Sequence, residues 1–429
     1  MPEVPQSLPS RPLAGAETNR LPLRGVRVVD FSWIIAGPQA TRILADFGAD
    51  VIRVEYAGRI DSIRIGMVAP EAPPGSMDAS GFFNNLNRNK RSITLNINDP
   101  RGLEAIKRLL TVADVVIENY SAGVMERKGL SYAAMAAVNP AIIYLSVSGF
   151  GHLGRDREHI TWGPTAQAVS GLTYMSGLPG EPSAGWGYSY LDHTAGYFAA
   201  LAALFALWHR EQTGQGQYID CSQIETGMVL AGPAILDRTV NGRPYRREGN
   251  PPGNGATYPT VAPHNTYRCR GDDRWIAIAV ETEAQWAALV EATGSPAWAA
   301  APQFATNAAR LAHQDDLDAH IGAWTAGFDP FDLMLLLQAR GVPAGAVQNI
   351  ADRMERDPQL HQRGFYPEAE HPLLGRHRFE GVPFQMSRST WSVREGAPLL
   401  GVHNSDVICD LLGLSDEELL ELTLEAAAV

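Results

Sequence analysis

The stretch Val26-Arg27-Val28-Val29-Asp30-Phe31, followed by Ala36-Gly37-Pro38, Leu44-Ala45-Asp46-Phe47-Gly48-Ala49 and Asp50-Val51-Ile52-Arg53-Val54-Glu55, reads as strand, helix, strand. The first and last pieces are apolar runs of buried-strand character. Between them, Pro38 marks a helix start, Ile43, Leu44 and Phe47 recur at helical spacing, and Gly48 stops the helix. The pattern then repeats. Ser92 to Ile97 alternates like a strand, Asp99-Pro100 opens a helix carrying Leu103, Ile106, Leu109 and Leu110, and Val115-Val116-Ile117 follows. A further short helix precedes Ile142 to Val147. Strands separated by single helices predict an α/β unit built on a parallel, doubly wound sheet.

Beyond Gly149 the character changes. Gly, Pro and aromatic residues dominate up to Tyr190, and a strongly apolar helix is expected from about Thr194 to Arg210. Gly214 to Gln217 is a tight turn into the strand-like Tyr218-Ile219-Asp220. A loop dense in Gly, Pro and Asn, 241–264, leads to Trp275 to Val280 and a helix from Glu283 to Ala292, the start of a smaller α+β unit. From Gly341 the chain is loop-rich until a last helix, Asp416 to Leu424. The expected organisation is a flexible leader 1–20, a large domain beginning with 21–235, a linker and small domain 236–340, and a return to the large domain over 341–429.

The 429 residues, 45% of them hydrophobic, suffice for a large core and two or three domain-sized units. A formal charge of −12 excludes a chain whose main task is gripping nucleic acid, while leaving room for a local pocket that holds an anionic cofactor. Cys221, Cys269 and Cys409 are odd in number, far apart and outside any CxxC, so neither a zinc site nor a disulfide framework is expected, and a cytoplasmic location fits. Residues 1–20 lack the apolar region of a signal peptide. The most apolar run, Ala195 to Trp208, is shorter than the ~18 residues that a membrane span requires. The expectation is therefore a soluble protein with no membrane, nucleic-acid or metal partner.

Gly149-Phe150-Gly151-His152-Leu153-Gly154 matches GxGxxG after a strand, but Arg155 to Glu158 follow it without helical apolar spacing. A dinucleotide site needs a helix N-terminus at that point, so a turn is the better reading. No GxSxG and no HExxH occurs. Asp192, in Tyr188-Ser189-Tyr190-Leu191-Asp192-His193-Thr194, stands directly before the apolar helix. By residue type it is either a helix cap or a positioned nucleophilic carboxylate, and local sequence leaves both open.

From Leu23 to the C-terminus the chain resembles the class III coenzyme A transferases. The likeness is carried by Leu23 to Asp30, Ala36-Gly37-Pro38, Leu44 to Glu55, Asn87-Arg88-Asn89-Lys90-Arg91-Ser92-Ile93, Ala113 to Tyr120 and Lys128-Gly129-Leu130. In the second half it rests on Asp192, Arg210 to Gln217, Gly341-Val342-Pro343 and Pro398-Leu399-Leu400-Gly401. The resemblance implies a Rossmann-like large domain formed from both ends of the chain, an inserted small domain, and two ring-like subunits interlocked as a homodimer. A heteromer with a related chain is the alternative.

It further implies that Asp192 attacks an acyl-CoA thioester, giving first an aspartyl–acyl anhydride and then an aspartyl-CoA thioester that a carboxylic acid acceptor reopens. A glycine-rich loop, matched by Gly249 to Gly255 with Gly253 and Gly255, would cover this chemistry. Asn119 and Tyr120 match a pair that contacts CoA, and Arg88, Lys90 and Arg91 are candidate partners for its phosphates. CoA is thus expected as the thioester substrate, with no permanently bound cofactor. Ile34-Ile35 before Ala36-Gly37-Pro38 makes an apolar wall that disfavours oxalate. Trp33, Trp162, Trp186, Tyr188 and Tyr190 are candidates to line a pocket for a bulkier or aromatic acyl group, and the range of the family implies succinyl-CoA as donor or a succinate-like acid as acceptor. The same fold hosts α-methylacyl-CoA racemases, which pair the aspartate with a histidine. Here the matching segment carries Trp162, with His159 displaced nearby.

Overall fold

The computed structural model describes residues 20–70, 72, 76–255 and 258–427. Residues 1–19 of the expected leader lie outside the described residues. Arg20, assigned to that leader, instead donates from its guanidinium to the carbonyls of Ser387 and Arg388. The chain divides into two compact units, one of 1–174, 184–236 and 358–429, the other of 175–183 and 237–357.

The first unit is built on six strands: β1 (Arg27–Asp30), β2 (Asp50–Glu55), β3 (Arg91–Thr94), β4 (Val115–Glu118), β5 (Ile143–Ser148) and β6 (Tyr218–Ser222). All pair in parallel, in the order β3-β2-β1-β4-β5-β6. Side chains alternate across such a sheet, so neighbours in sequence serve different cores. Val29 and Val116 pack with Ile106, Leu109 and Leu110 of helix Pro100–Thr111. Val28, Val115 and Ile117 pack with Ala40 and Leu44 of α1 (Ala36–Asp46) on the opposite face. Strand order runs outward in one direction from β1 and in the other from β4. Their C-terminal ends therefore diverge, and a crevice opens between them.

Two later helices complete that end of the sheet, α2 (Gly163–Val169) and α3 (Tyr190–Thr213). The expected helix beginning near Thr194 begins four residues earlier, which places Asp192 inside its first turn. At 24 residues it is also longer than the apolar run suggested, and long and apolar enough to cross a membrane by length and composition. Its small side chains serve packing within the unit. Ala195, Ala199, Ala200, Ala203 and Ala206 are buried, and a Cβ on Gly196 would come within 2.6 Å of Gln39 and 2.8 Å of the Ala36 carbonyl. The close approach of α1 and α3 thus depends on a residue without a side chain.

No helix follows Gly149 to Gly154. Asp220 on β6 accepts hydrogen bonds from the backbone of His152 (2.8 Å) and Leu153 (3.1 Å), holding the segment as a turn. At the far edge, the C-terminal return covers β3. Thr94 donates its N–H to Asn404 (2.8 Å), and the Ser92 carbonyl accepts from the His403 N–H (3.0 Å). The exposed edge of the sheet is satisfied in this way.

In the second unit, β7 (His264–Arg268), β8 (Trp275–Ala279) and β9 (Ala344–Val347) form an antiparallel sheet packed on helices Glu283–Ala292, Gln314–Thr325 and Pro330–Gln338. The sequence boundary at 340 falls short, because β9 pairs with β8 and the unit runs on to Asp357.

Candidate functional site

The crevice between β1 and β4 is a cleft of about 300 Å³, lined by the turn after β1, by Asn119 and Tyr120 after β4, by the segment before α2, and by Asp192 and Gln223. Its construction begins with buried charge. Asp30 at the end of β1 is fully buried and bonded to Lys90 (3.1 Å), Ser32 and Thr41 (2.7 Å). Burial works to raise its pKa, but Lys90 and Arg53 overcome that and hold it below the usual range. Arg53 pairs Asp61 at 2.7 Å and donates to the Ser32 carbonyl at 2.8 Å. Asp61 in turn accepts the Ile34 N–H at 3.0 Å.

That turn is strained. Ile34 sits at φ +62°, a left-handed conformation that a β-branched residue adopts only at a cost of about 1–3 kcal/mol. Side chains from elsewhere impose it. Besides Asp61, Asn119 accepts from the Trp33 N–H (2.7 Å) and donates to the Trp33 carbonyl (2.8 Å). Asn119 therefore serves as a clasp for the opposite cleft wall. Tyr120 is fixed at both backbone ends: Glu118 accepts its N–H at 2.7 Å, and the His152 ring lies 3.3 Å from its carbonyl. Burial pushes the Glu118 carboxyl above its ordinary range.

Asp192 lies in the first turn of α3, where the orphan N–H groups and the helix dipole favour a carboxylate. It also reaches sideways into the cleft. Gln223, first residue of helix Gln223–Leu230, donates from Nε2 to Asp192 Oδ1 at 2.7 Å, and Ser189 and the Gly163 backbone also bond to the carboxylate. A Cβ on Gly163 would come within 2.9 Å of Asp192 Cγ, so only glycine lets α2 approach so closely. Burial raises the Asp192 pKa, and the three hydrogen bonds work against that rise. The result is a half-buried, oriented carboxylate that has lost much of its hydration without gaining a cation.

A family model, CoA-transferase family III, matches residues 23–404. The chain belongs to this family. It is 35% identical to succinyl-CoA–D-citramalate CoA-transferase of Chloroflexus aurantiacus over 94% of its own length and 96% of that protein's. It is 31% identical to the succinyl-CoA–L-malate CoA-transferase beta subunit of the same organism, over 94% and 98%. A CaiB/BaiF family protein from Brucella suis superposes with a TM-score of 0.82 at 30% identity, covering 91% of this chain and 99% of that one. The protein is a CoA-transferase with the α/β fold of its family.

The cleft of this family III transferase gathers Asp192, Asn119, Tyr120 and Ile35 from the residues singled out in the sequence. It does not gather the basic knot. Arg88 is buried against Asp46 (2.7 Å), Lys90 against Asp30, and Arg91 is bonded to Asp50 at 2.8 and 2.5 Å. These three, expected to meet the CoA phosphates, are each paired with an internal carboxylate, and none lines this cleft. Of the aromatic candidates, Trp33 and Trp162 line the cleft, whereas Tyr188 stacks on His193 at 5.1 Å beside a separate cavity, and Trp186 packs on Tyr190 at 4.7 Å. Gly253 and Gly255 belong to the second unit, Gly253 at φ +60°.

Sequence reading missed Gln223 and Gly163, which hold the Asp192 carboxylate. Ser222, whose hydroxyl accepts from the Glu225 N–H, is a readable helix cap, but nothing in the sequence says that the next side chain reaches Asp192.

Proposed function

We propose that the enzyme moves CoA from succinyl-CoA to a carboxylic acid through covalent acylation of Asp192. One Asp192 oxygen attacks the donor carbonyl, the C–S bond breaks, and CoA leaves as thiolate, giving a mixed anhydride. The thiolate then attacks the aspartyl carbonyl and expels the donor acid, leaving an aspartyl-CoA thioester. The acceptor carboxylate attacks that thioester and expels CoA as thiolate, giving an anhydride between Asp192 and the acceptor. The thiolate then attacks the acceptor carbonyl of this anhydride, forming the new acyl-CoA and releasing the Asp192 carboxylate. Each step exchanges a thiolate for a carboxylate, so no proton transfer is needed.

The observation that supports this reading is the setting of Asp192: oriented by Gln223 and Gly163, short of water, and free of a neutralising cation. Apolar walls at Ile35 and Trp162 suit an acyl chain better than a compact dianion, and two relatives are named for succinyl-CoA. The enzyme works in the cytoplasm as a homodimer, or beside a related chain, since one relative is named as a subunit.

Incubation with acyl-CoAs in the absence of acceptor, followed by hydroxylamine and peptide mapping, is expected to mark the Asp192 peptide. No adduct with any donor, or undiminished CoA exchange in Asp192→Ala, would sink the mechanism. Racemisation is the second reading, because His159 lines the same cleft as Asp192. It predicts acceptor-independent wash-in of deuterium at the α-carbon, which a transferase does not give.

A further inference from the structure

Every cation packed beneath the cleft is neutralised. Arg53 pairs Asp61 and Glu55, Arg64 pairs Glu55 and Asp78, and Lys90 pairs Asp30. Arg59 is different. It lines the cleft, it is exposed, and among the described residues it has no ion-pair partner. Its placement is nonetheless fixed. β2 ends at Glu55 and the chain reverses, with the Arg59 N–H donating to the Tyr56 carbonyl at 3.0 Å. Gly58 lies against the Tyr56 ring, where a Cβ would come within 2.6 Å of its outer end. The Arg59 guanidinium rests over the Trp33 ring, 5.0 Å from its centre, and Trp33 meets Tyr120 edge to face at 6.2 Å. Asn119 clasps the Trp33 backbone, so the platform under the guanidinium is rigid.

A guanidinium laid on an aromatic face keeps its N–H fork free in its own plane, the arrangement that receives two phosphate oxygens at once. The neighbouring carboxylates are already engaged, so an incoming anion has no internal acid to displace. The chain as a whole carries −12, and a multiply charged substrate therefore needs a local cation at the point of entry. Arg59, at the exposed side of the cleft, meets that need, while the half-buried Asp192 holds the reacting end.

We propose that Arg59, seated on Trp33, receives the phosphates of the CoA thioester and so sets the preference for CoA over phosphate-free thioesters. This rests on the transferase reading. It assigns the residue to binding and not to the covalent steps, and the two can be tested apart.

The experiment compares wild type, Arg59→Gln and Arg59→Lys on thioesters of one acyl group. The carriers are CoA, dephospho-CoA, 4′-phosphopantetheine and pantetheine, with a fixed acceptor acid. Arg59→Gln is expected to raise KM for the CoA thioester about 10- to 100-fold, with kcat within about 2-fold. On the pantetheine thioester the variant and the wild type should coincide, and Arg59→Lys should recover part of the KM. The carrier at which the deficit disappears identifies the phosphate contacted. An equal loss on every carrier, pantetheine included, overturns the proposal, because it shows a structural role or recognition of an acyl carboxylate. A fall in kcat at unchanged KM overturns it too. Calorimetric titration with free CoA gives an independent readout: weaker binding by folded Arg59→Gln supports the proposal, and unchanged binding refutes it. If the wild type binds CoA yet transfers it to no acid, the transferase reading fails while the Arg59 assignment stands.

Discussion

Asp192 carries two demands that conflict. Burial lifts its pKa above the ordinary 3.8, so the folded protein holds the proton more tightly than the unfolded chain does. A carboxyl raised in this way contributes stability while protonated and loses it as pH climbs through its folded pKa. Asp192→Asn is therefore expected to abolish CoA exchange while raising the melting temperature at neutral pH. The gain should shrink toward zero as pH falls to 3.8. A variant that is inactive and less stable at neutral pH would contradict this account.

The neighbours of Asp192 divide the work. Losing the Gln223 hydrogen bond removes a contact that lowers the Asp192 pKa. Gln223→Ala should move the acid limb of the kcat/KM profile to higher pH and lower kcat by roughly 10- to 100-fold, the worth of a hydrogen bond to a charged group. Gly163→Ala acts by displacement: its methyl group would push the carboxylate aside, and a shift of about 1 Å costs on the order of 10²-fold in rate. Steady-state kinetics beside thermal melts would separate that loss from unfolding.

At the scale of elements, the sequence was legible where a strand or helix had a strong pattern of its own. Val26 to Phe31, the helix after Asp99-Pro100 and the strand around Val115 all stand where periodicity put them. The parallel sheet followed from their alternation. What periodicity could not deliver was the partner of a charged side chain. Arg88, Lys90 and Arg91 look in sequence like a basic knot awaiting an anion, yet each folds back on an acid tens of residues away, Asp46, Asp30 or Asp50. Lys90 makes the distinction measurable. Lys90→Ala removes the ion-pair partner of the buried Asp30 and leaves it only the more distant Arg53 charge and two hydroxyls, which costs about 3–5 kcal/mol. Urea unfolding should show that loss, while KM for the acyl-CoA in whatever fraction stays folded should change little.

The site was legible only in part for the same reason. Asp192 and Asn119-Tyr120 lie in stretches that resemble a known family, whereas Gln223 and Gly163 act through contacts that exist only once α2 and α3 have met. Asn119 also acquired a task that its sequence context did not reveal, since its side chain shapes the turn at Trp33.

For the whole molecule, the outer face of α3 is the feature that the described residues leave without a partner. Tyr197, Leu201, Phe205 and Trp208 recur at spacings of three and four, hence on one face, and Phe205 and Trp208 are 65% and 70% exposed. A stripe of that kind on a monomer is a liability to solubility, and on an oligomer it is an interface. Phe205→Glu with Trp208→Glu is expected to halve the molecular mass seen by light scattering. A wild-type chain that is monomeric when expressed alone would instead favour an unlike partner.

The stacking of Arg59 on Trp33 has an optical consequence. A guanidinium held over an indole sets the local field that the excited ring experiences, and any anion that draws the cation away alters that field. Trp33 is thus a natural emission probe of cleft occupancy. The difference spectrum between the parent and Trp33→Phe should isolate its signal from the other eight tryptophans. Titrating CoA into both proteins would then report filling of the cleft without turnover, and without any label.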